Sequence, residues 1–184
     1  MGAIFEKTDL DGVILVKPDV FRDSRGFFLE TWQKQRYSTG KIDCDFVQDN
    51  HSRSAQGVVR GLHYQLVSAQ DKLVYAVRGT IFDVAVDIRK NSPSFGRWTG
   101  QILSEENQYQ LFIPKGFAHG FSVLSRTADV MYKCSDYYAP GDEYGILFND
   151  EDLNIDWKIE TPEVSEKDRR NPALADMDPA CLPK

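Results

Sequence analysis

Short apolar runs separated by glycine, proline and polar residues follow one another along most of the chain. The clearest run, residues 81–88 (IFDVAVDI), alternates in steps of two, with Phe82 and Val84 on one face and Asp83 and Ala85 on the other. Strict alternation over this length is typical of a β-strand. Similar short runs occupy residues 13–16, 72–77, 109–114, 121–124 and 128–134. Many short strands with turn residues between them predict an antiparallel sandwich or barrel.

Helical patterns are few. Residues 29–40 (LETWQKQRYSTG) predict a short helix that ends at Gly40. Residues 165–170 (SEKDRR) predict a second one, because Ser165 stands at an N-cap position and Asp168 follows three residues later.

Length and pattern together predict one all-β domain over residues 1–184, with residues 170–184 as a loosely packed tail. At 184 residues and 41% hydrophobic residues the chain can fill one sizeable core. A formal net charge of −6 argues against nucleic acid and anionic membranes as partners. No apolar stretch reaches the ~18 residues of a membrane helix, and no signal-peptide pattern is present. We therefore expect a cytoplasmic protein whose three cysteines stay reduced.

The most polar strand-like segment, residues 47–66 (VQDNHSRSAQGVVRGLHYQL), holds several side chains that can bind ligands or transfer protons. Within it the alternation puts Arg60 on one face and His63 and Gln65 on the other, so His63 and Gln65 would point into a barrel together. A polar surface hairpin explains the same composition. A single inward histidine is also more often a hydrogen-bonded core residue than a catalytic one.

A second segment, residues 113–125 (IPKGFAHGFSVLS), resembles the second motif of cupin barrels, in which P-x-G-x-x-H delivers a histidine, here His119, into the interior. Cupin metal sites usually draw further ligands from an H-x-H pair, but His63 stands in GLHYQL without a second histidine. We therefore expect no metal, with His63 and His119 acting in proton transfer or hydrogen bonding. The third histidine, His51, is expected in a polar loop.

Six blocks of sequence, in order, carry a more specific resemblance: FRDSRGFFLETW, VQDNHSRSAQGVVRGLHYQ, KLVYAVRGTIFDVAVDIRKNSPSFG, FIPKGFAHGFSVLS, YKCSDYYAPGDEYGI and SEKD. Together they resemble the dTDP-4-dehydrorhamnose 3,5-epimerase family over residues 5–168. The resemblance implies a cupin-type jelly-roll barrel with a few short helices, a homodimer, and no metal or organic cofactor. It also implies the substrate dTDP-4-dehydro-6-deoxy-D-glucose, whose C3 and C5 protons are acidified by the C4 ketone and exchanged through enolates.

Four catalytic residues are implied by the resemblance. His63 would be the general base, paired with Asp168, and Lys72 would lie near the C4 oxygen, where its charge favours the enolate. Tyr132 would donate a proton from the opposite face. Asp168 has an alternative role as a helix cap beside Ser165. Composition alone favours a solvated Lys72 and a half-buried packing role for Tyr132.

The substrate-binding residues that the resemblance implies are Phe21, Arg25, Glu30, Gln48, Asn50, Arg60, His119, Tyr138, Glu143 and Lys167. Arg25 and Arg60 would hold the diphosphate, since a guanidinium can donate two parallel hydrogen bonds. Phe21 and Tyr138 would sandwich the thymine, with Glu30 near it. The segment around residues 25–30 would come from the neighbouring subunit, so that the homodimer completes each site.

One further role is our own hypothesis: Asp83, on the polar face of its strand, would orient one of the two pocket histidines. Tyr75 and Tyr144 depart from residues common in the family, and Tyr144 would alter the pocket rim. Besides the double epimerase of dTDP-L-rhamnose synthesis, three functions stay open. They are an epimerase acting at C3 or C5 alone, a non-catalytic sugar-nucleotide-binding barrel, and a metal cupin oxygenase. The missing H-x-H argues against the last, and the presence of all four catalytic residues argues against the second.

Overall fold

The computed structural model describes residues 2–184, and β-strands dominate them. The strands are, in chain order, β1 Ala3–Lys7, β2 Ile14–Pro18, β3 Val20–Asp23, β4 Gly26–Leu29, β5 Gln48–Ala55, β6 Val58–Gln65, β7 Lys72–Arg78, β8 Thr80–Asp87, β9 Trp98–Ser104, β10 Gln110–Ile113, β11 Phe117–Val123, β12 Thr127–Cys134, β13 Glu143–Gly145 and β14 Glu163–Val164. The helical elements are α1 Lys34–Thr39, α2 Glu166–Arg169 and two 3₁₀ turns, Leu174–Asp176 and Pro179–Cys181.

Two six-stranded sheets enclose an apolar interior. The first has the strand order β1-β2-β10-β7-β12-β5, and the second has the order β13-β6-β11-β8-β9 with the short β14 beside β6. Side chains from both sheets meet between them, among them Leu15, Val74 and Val130 from the first and Ala85 and Phe121 from the second. This arrangement confirms the predicted all-β cupin-type barrel with a few short helices.

The alternation predicted for residues 81–88 is present in β8. Ala85 faces the interior between the sheets, whereas Phe82, Val84 and Val86 pack on the outer face of the second sheet. Both faces are therefore covered, which explains why nearly every residue of β8 is buried.

The chain after β14 covers part of that outer face. Leu174, Met177 and Leu182 are buried there, at 7%, 9% and 7% exposure, against the apolar side chains of β6 and β8. The expectation of a loosely packed tail over residues 170–184 is therefore wrong. Its apolar residues are few and irregularly spaced, and their partners lie about a hundred residues earlier, so no local pattern announces the contact.

Both predicted helices form. The Gln33 side chain caps the first turn of α1, Tyr37 buries its ring against the outer face of the first sheet, and Gly40 ends the helix. In α2 the hydroxyl of Ser165 accepts a hydrogen bond from the backbone N–H of Asp168 at 3.1 Å. Within residues 2–184, no helix is long and apolar enough to cross a membrane.

A buried carboxylate organises the loop after β8. Asp87 accepts hydrogen bonds from the Arg89 guanidinium at 2.9 and 2.7 Å and from the hydroxyls of Ser92 and Ser94 at 2.6 and 2.7 Å. Burial raises the pKa of Asp87, but these hydrogen bonds outweigh burial and lower it to about 2. Arg89 in turn lies over the ring of Phe117, so the loop is tied to the start of β11.

A bulge in β6 changes which of its residues face the interior. Phe121 pairs with Arg60 and His119 pairs with His63, so two steps along β11 correspond to three steps along β6. Gly61 lies within this irregularity with a φ of 119°, a conformation that other residues rarely adopt. Arg60 and His63 therefore reach the same side of the sheet, and our assignment of Arg60 to the opposite face is wrong.

Candidate active site

Polar side chains from both sheets and from α2 line a cavity of about 700 Å³. The predicted site residues that line it are His63, Lys72, Tyr132, Asp168, Gln48, Asn50, Arg60, His119, Tyr138, Glu143 and Lys167. A cavity of this size with convergent polar groups is typical of a small-molecule site.

His63 and Asp168 form a close pair in the cavity wall. His63 Nε2 lies 2.6 Å from Asp168 Oδ1, and the Asp168 side chain is buried. Burial raises the pKa of Asp168, but the hydrogen bond and charge of His63, with smaller contributions from the Gly61 backbone and the Ser165 hydroxyl, outweigh burial and lower it. Asp168 is therefore a carboxylate placed to orient the imidazole of His63 and to compensate a positive charge on it.

Helix capping and histidine pairing use different atoms of Asp168. Ser165 is bonded to the backbone N–H of Asp168, which leaves the carboxylate available for His63. The two roles, which are alternatives when only the sequence is considered, are thus compatible. The cap also fixes the turn of α2 from which the carboxylate projects.

A second histidine–carboxylate pair is buried between the sheets. His119 Nε2 lies 2.8 Å from Asp83 Oδ1, and both side chains are buried. The hypothesis that Asp83 orients a histidine therefore applies to His119, because His63 already has Asp168. The other carboxylate oxygen of Asp83 is buried without a hydrogen-bond partner among residues 2–184.

Two glycines let the strands that carry the histidines approach closely. His63 and His119 are opposite each other in the β6–β11 register. A Cβ atom on Gly61 would lie 2.5 Å from the Cα of Gly120, and one on Gly120 would lie 2.8 Å from the carbonyl oxygen of Arg60. A side chain at either position would push the strands apart, so these glycines set the spacing of the two histidines.

Lys72 and Tyr132 face the histidines from the first sheet. They lie on the paired strands β7 and β12, and the ring of Tyr132 is 6.5 Å from that of His119. Burial lowers the pKa of Lys72, partly opposed by nearby acidic groups. Burial also raises the pKa of Tyr132, which keeps the phenol protonated. The cavity thus has a histidine–carboxylate pair on one wall and a phenol and a lysine on the other.

Neutral donors and acceptors come from β5. Gln48 Nε2 donates to Asn50 Oδ1 at 3.1 Å, and Asn50 Nδ2 donates to the Cys134 thiol at 3.5 Å. Arg60 enters from β6, with its Nε donating to Ser54 Oγ at 3.0 Å. Because the bulge turns Arg60 towards this wall, its guanidinium adds a positive group that suits an anionic ligand.

The edge of the cavity is formed by the loop after β12, by β13 and by α2. Glu143 on β13 and Lys167 on α2 form an ion pair there, and Tyr138 lies in the loop with about half of its surface exposed. Tyr144, which we expected to alter this rim, instead stacks on Tyr64 with ring centroids 5.5 Å apart, within the outer apolar cluster.

Three predicted binding residues lie away from the cavity of their own chain. Phe21 and Arg25 belong to the β3–β4 hairpin, which forms a separate two-stranded sheet. Arg25 pairs with Asp23, and Glu30, just after the hairpin, pairs with Arg36 at 2.7 Å. Within one chain the structure does not bring these three residues to the other site residues.

The third histidine lies outside the cavity. His51 belongs to β5 rather than to the loop that we expected, and its Nε2 lies 3.4 Å from Asp129 Oδ1. Arg53 donates two hydrogen bonds to the same carboxylate, at 2.6 and 2.9 Å. Across residues 2–184, no group of three or more His, Cys, Asp or Glu side chains is placed to hold a metal ion.

Comparison with known proteins identifies the family. The chain matches the family described as dTDP-4-dehydrorhamnose 3,5-epimerase over residues 7–176. It belongs to this family. The chain is 53% identical over 173 residues to the dTDP-4-dehydrorhamnose 3,5-epimerase of Pseudomonas aeruginosa, covering 93% of this chain and 94% of that protein.

Two solved structures show how closely the fold is shared within the family. The dTDP-6-deoxy-D-glucose-3,5-epimerase of Legionella pneumophila, in complex with dTDP-4-keto-L-rhamnose, is 49% identical with a TM-score of 0.96, and the match covers 99% of this chain and 98% of that one. A 3'-monoepimerase from Streptomyces bikiniensis, in complex with dTDP-quinovose, is 31% identical with a TM-score of 0.90, covering 96% of this chain and 91% of that one.

Some residues that line the cavity are not among the site residues predicted from the sequence. They include Ser52, Val58, Gln70, Phe121 and Glu163. Ser52 shares the strand parity of Asn50 on β5, so the alternation of that strand would have found it. Glu163 reaches the cavity only because β14 pairs in parallel with the distant β6, a contact without a local signal.

Proposed function

We propose that this protein epimerises dTDP-4-dehydro-6-deoxy-D-glucose at C3 and C5, giving dTDP-4-dehydro-L-rhamnose in dTDP-L-rhamnose synthesis. One observation carries the proposal: the His63–Asp168 pair faces Tyr132 across the cavity, with Lys72 beside Tyr132. Inversion at a carbon next to a ketone requires a base on one face and an acid on the other. The family membership supports the same reaction.

The proton transfers balance without a redox step. His63 takes a proton from C3 or C5, the electron pair of that C–H bond moves towards C4, and the C4 oxygen becomes an enolate. The ammonium of Lys72 stabilises the new negative charge. Tyr132 then gives its phenolic proton to the same carbon from the opposite face, and both side chains regain their starting states by exchange with water.

The resting protonation states suit these roles. The lowered pKa of Asp168 keeps it a carboxylate, which compensates the charge that His63 gains. The raised pKa of Tyr132 keeps a proton available for transfer. Asp83 would hold His119 as a hydrogen-bonding group for the sugar.

The nucleotide would extend from the sugar towards Tyr138, with Arg60 near the diphosphate. The β3–β4 hairpin supports a homodimer that completes this part of the site, because Phe21, Phe27 and Phe28 on it are 49%, 52% and 61% exposed. If the hairpin docks at the cavity of a second subunit, it buries these rings and brings Phe21 and Arg25, with the adjacent Glu30, to the neighbouring nucleotide. The cytoplasmic location and the single-domain organisation stay predictions.

An epimerase acting at one centre is the second candidate. The likeness to the Streptomyces bikiniensis 3'-monoepimerase favours it, because the same fold serves that relative. Solvent exchange separates the two. The protein is incubated with dTDP-4-dehydro-6-deoxy-D-glucose in deuterated water and the product is analysed by NMR. Deuterium at C3 and C5 is the expected result, deuterium at one centre supports the second candidate, and no incorporation overturns both.

Variants at two histidines test the assignment of the base. His63→Ala is expected to abolish exchange while leaving dTDP binding within about threefold, because the imidazole acts on the sugar. His51→Ala is the matched control and is expected to exchange at the normal rate, since His51 lies outside the cavity. Exchange that survives His63→Ala would show that another residue is the base.

A further inference from the structure

The backbone around Tyr138 is held by side chains that project from the barrel strands. Gln65, at the end of β6, uses both ends of its buried amide on this loop. Its Oε1 accepts a hydrogen bond from the N–H of Ala139 at 2.9 Å, and its Nε2 donates to the carbonyl of Tyr137 at 3.2 Å and to that of Ser68 at 2.7 Å. The peptide groups on both sides of Tyr138 are therefore fixed to β6.

Tyr138 itself is held from the opposite sheet. Its backbone N–H donates to Gln48 Oε1 at 2.9 Å, and Gln48 is oriented in turn by its bond to Asn50. Three successive residues of the loop are thus bonded to β5 and β6, although Tyr138 remains 52% exposed at the cavity edge. Hydrogen bonds therefore hold the backbone of the loop, while the side chain of Tyr138 stays accessible.

A second brace closes the same loop against the segment after β6. The Asp142 carboxylate accepts hydrogen bonds from the backbone N–H groups of Leu66, Val67 and Ser68, at distances between 2.7 and 3.3 Å. Such a run of N–H groups around one carboxylate is a backbone nest. It ties the two segments that Gln65 also joins.

Gln65 shares the inward face of β6 with His63, yet its hydrogen-bonding groups are engaged by the loop. We propose that Gln65, supported by Asp142, is a positioning residue for base recognition: it presets the loop so that Tyr138 presents its ring to the nucleobase of a nucleoside diphosphate sugar. This inference rests on the proposed function. A loop that is ordered before binding avoids the entropy loss of ordering it on binding, so Gln65 acts on affinity and leaves the proton transfers unaffected.

A double-variant cycle with dTDP as the probe tests this. Gln65→Ala is expected to raise the Kd for dTDP and the KM for the dTDP-sugar by roughly 10- to 100-fold, with kcat within about threefold of normal. Tyr138→Ala should weaken binding similarly. In the Tyr138→Ala background, Gln65→Ala should raise the Kd for dTDP by less than about a further threefold, because the aromatic ring that Gln65 positions is already absent.

Asp142 is half-buried and does not line the cavity, so Asp142→Asn tests the loop without altering the cavity wall. It is expected to weaken dTDP binding in the same non-additive way, with kcat kept. Gln56→Ala is the matched control, since Gln56 is exposed near the β5–β6 turn and its side-chain amide donates to the Leu124 carbonyl; the Kd and KM of this variant should stay normal.

Additive losses in the double variant, or a fall in kcat at unchanged KM, would overturn the inference. Its failure is distinguishable from failure of the proposed function because dTDP binding is measured apart from turnover. Non-additive loss of dTDP binding in a protein that shows no epimerisation would support the loop assignment and overturn the reaction. Normal turnover with additive losses of dTDP binding would support the reaction and overturn the loop assignment.

Discussion

Gly145 is expected to govern the alignment of the His63–Asp168 pair although it does not line the cavity. It lies on β13 directly opposite His63, and the side chain of Asn171 packs over it. A Cβ atom at position 145 would lie 2.2 Å from Asn171 Nδ2 and 2.5 Å from its Cγ. Ordinary contacts lie at roughly 3.5 Å, so Gly145→Ala must displace Asn171 by about 1 Å.

We expect the displacement to reach Asp168, because Asn171 and Asp168 are close in the chain. Asn171 follows α2 closely, and its N–H lies 3.5 Å from the Asp168 carbonyl oxygen. A shift of about 1 Å in the 2.6 Å contact between Asp168 and His63 would take it outside hydrogen-bond range. A misplacement of this size in a catalytic pair costs about 100-fold in rate, or roughly 2.7 kcal/mol in the activation free energy.

The assay is the initial rate of deuterium incorporation, with KM and the Kd for dTDP measured alongside. Gly145→Ala should lower kcat by about 100-fold and leave the Kd for dTDP unchanged, since the shift affects the sugar end of the cavity. Asn171→Ala alone should be nearly silent, because its buried Nδ2 has no hydrogen-bond partner within residues 2–184. Combined with Gly145→Ala it removes the clashing atoms and should restore most of the rate.

Two results would refute this reasoning. A normal kcat for Gly145→Ala would mean that Asn171 moves without disturbing α2. A double variant as slow as Gly145→Ala would mean that the added methyl group acts on His63 by another route.

Three further predictions follow from the charged groups. Asp168→Asn keeps the shape but not the charge, so we expect kcat to fall by about 100-fold or more with the Kd for dTDP unchanged; a kcat within about threefold of normal would contradict the pairing role. Because burial lowers the pKa of Lys72, the alkaline limb should lie below the range of an ordinary lysine, and Lys72→Arg should move it upward at a reduced rate; a limb unmoved by Lys72→Arg would assign it to another group. Because its pKa is about 2, Asp87 stabilises the folded protein fully above about pH 4, and this contribution is lost as the pH falls through 2. Urea denaturation should show a loss of about 2 kcal/mol in the free energy of unfolding over that range, and Asp87→Asn should abolish this pH dependence.

Local sequence patterns were sufficient to predict several of the strands and both helices of this protein. Alternation in residues 81–88 predicted both faces of β8, and the spacing around Ser165 predicted the start of α2. The family resemblance, and not a local pattern, implied the candidate residues that line the cavity, including His63 and Tyr132 on opposite walls. The strand and helix predictions succeeded because strand parity, helix caps and turn residues act over a few positions and depend little on the rest of the chain.

Other features depend on distant contacts. A single extra residue at Gly61 reverses the parity of β6, which is why Arg60 was assigned to the wrong face. Burial of Leu174, Met177 and Leu182 depends on strands about a hundred residues earlier, so the C-terminal segment looked loose in the sequence. The resemblance alone placed Phe21, Arg25 and Glu30 at a neighbouring subunit, which is consistent with their distance from the cavity of their own chain.

The sequence by itself determined the all-β class, the positions of the most apolar strands and the residue types available for proton transfer. Only the tertiary structure decided that the partner of Asp83 is His119, 36 positions away, whereas the family resemblance had already implied the pairing of His63 with Asp168 across 105 positions. The His119–Asp83 pair depends on the register of β8 and β11, and the His63–Asp168 pair depends on where α2 packs, and neither can be read from local residue patterns.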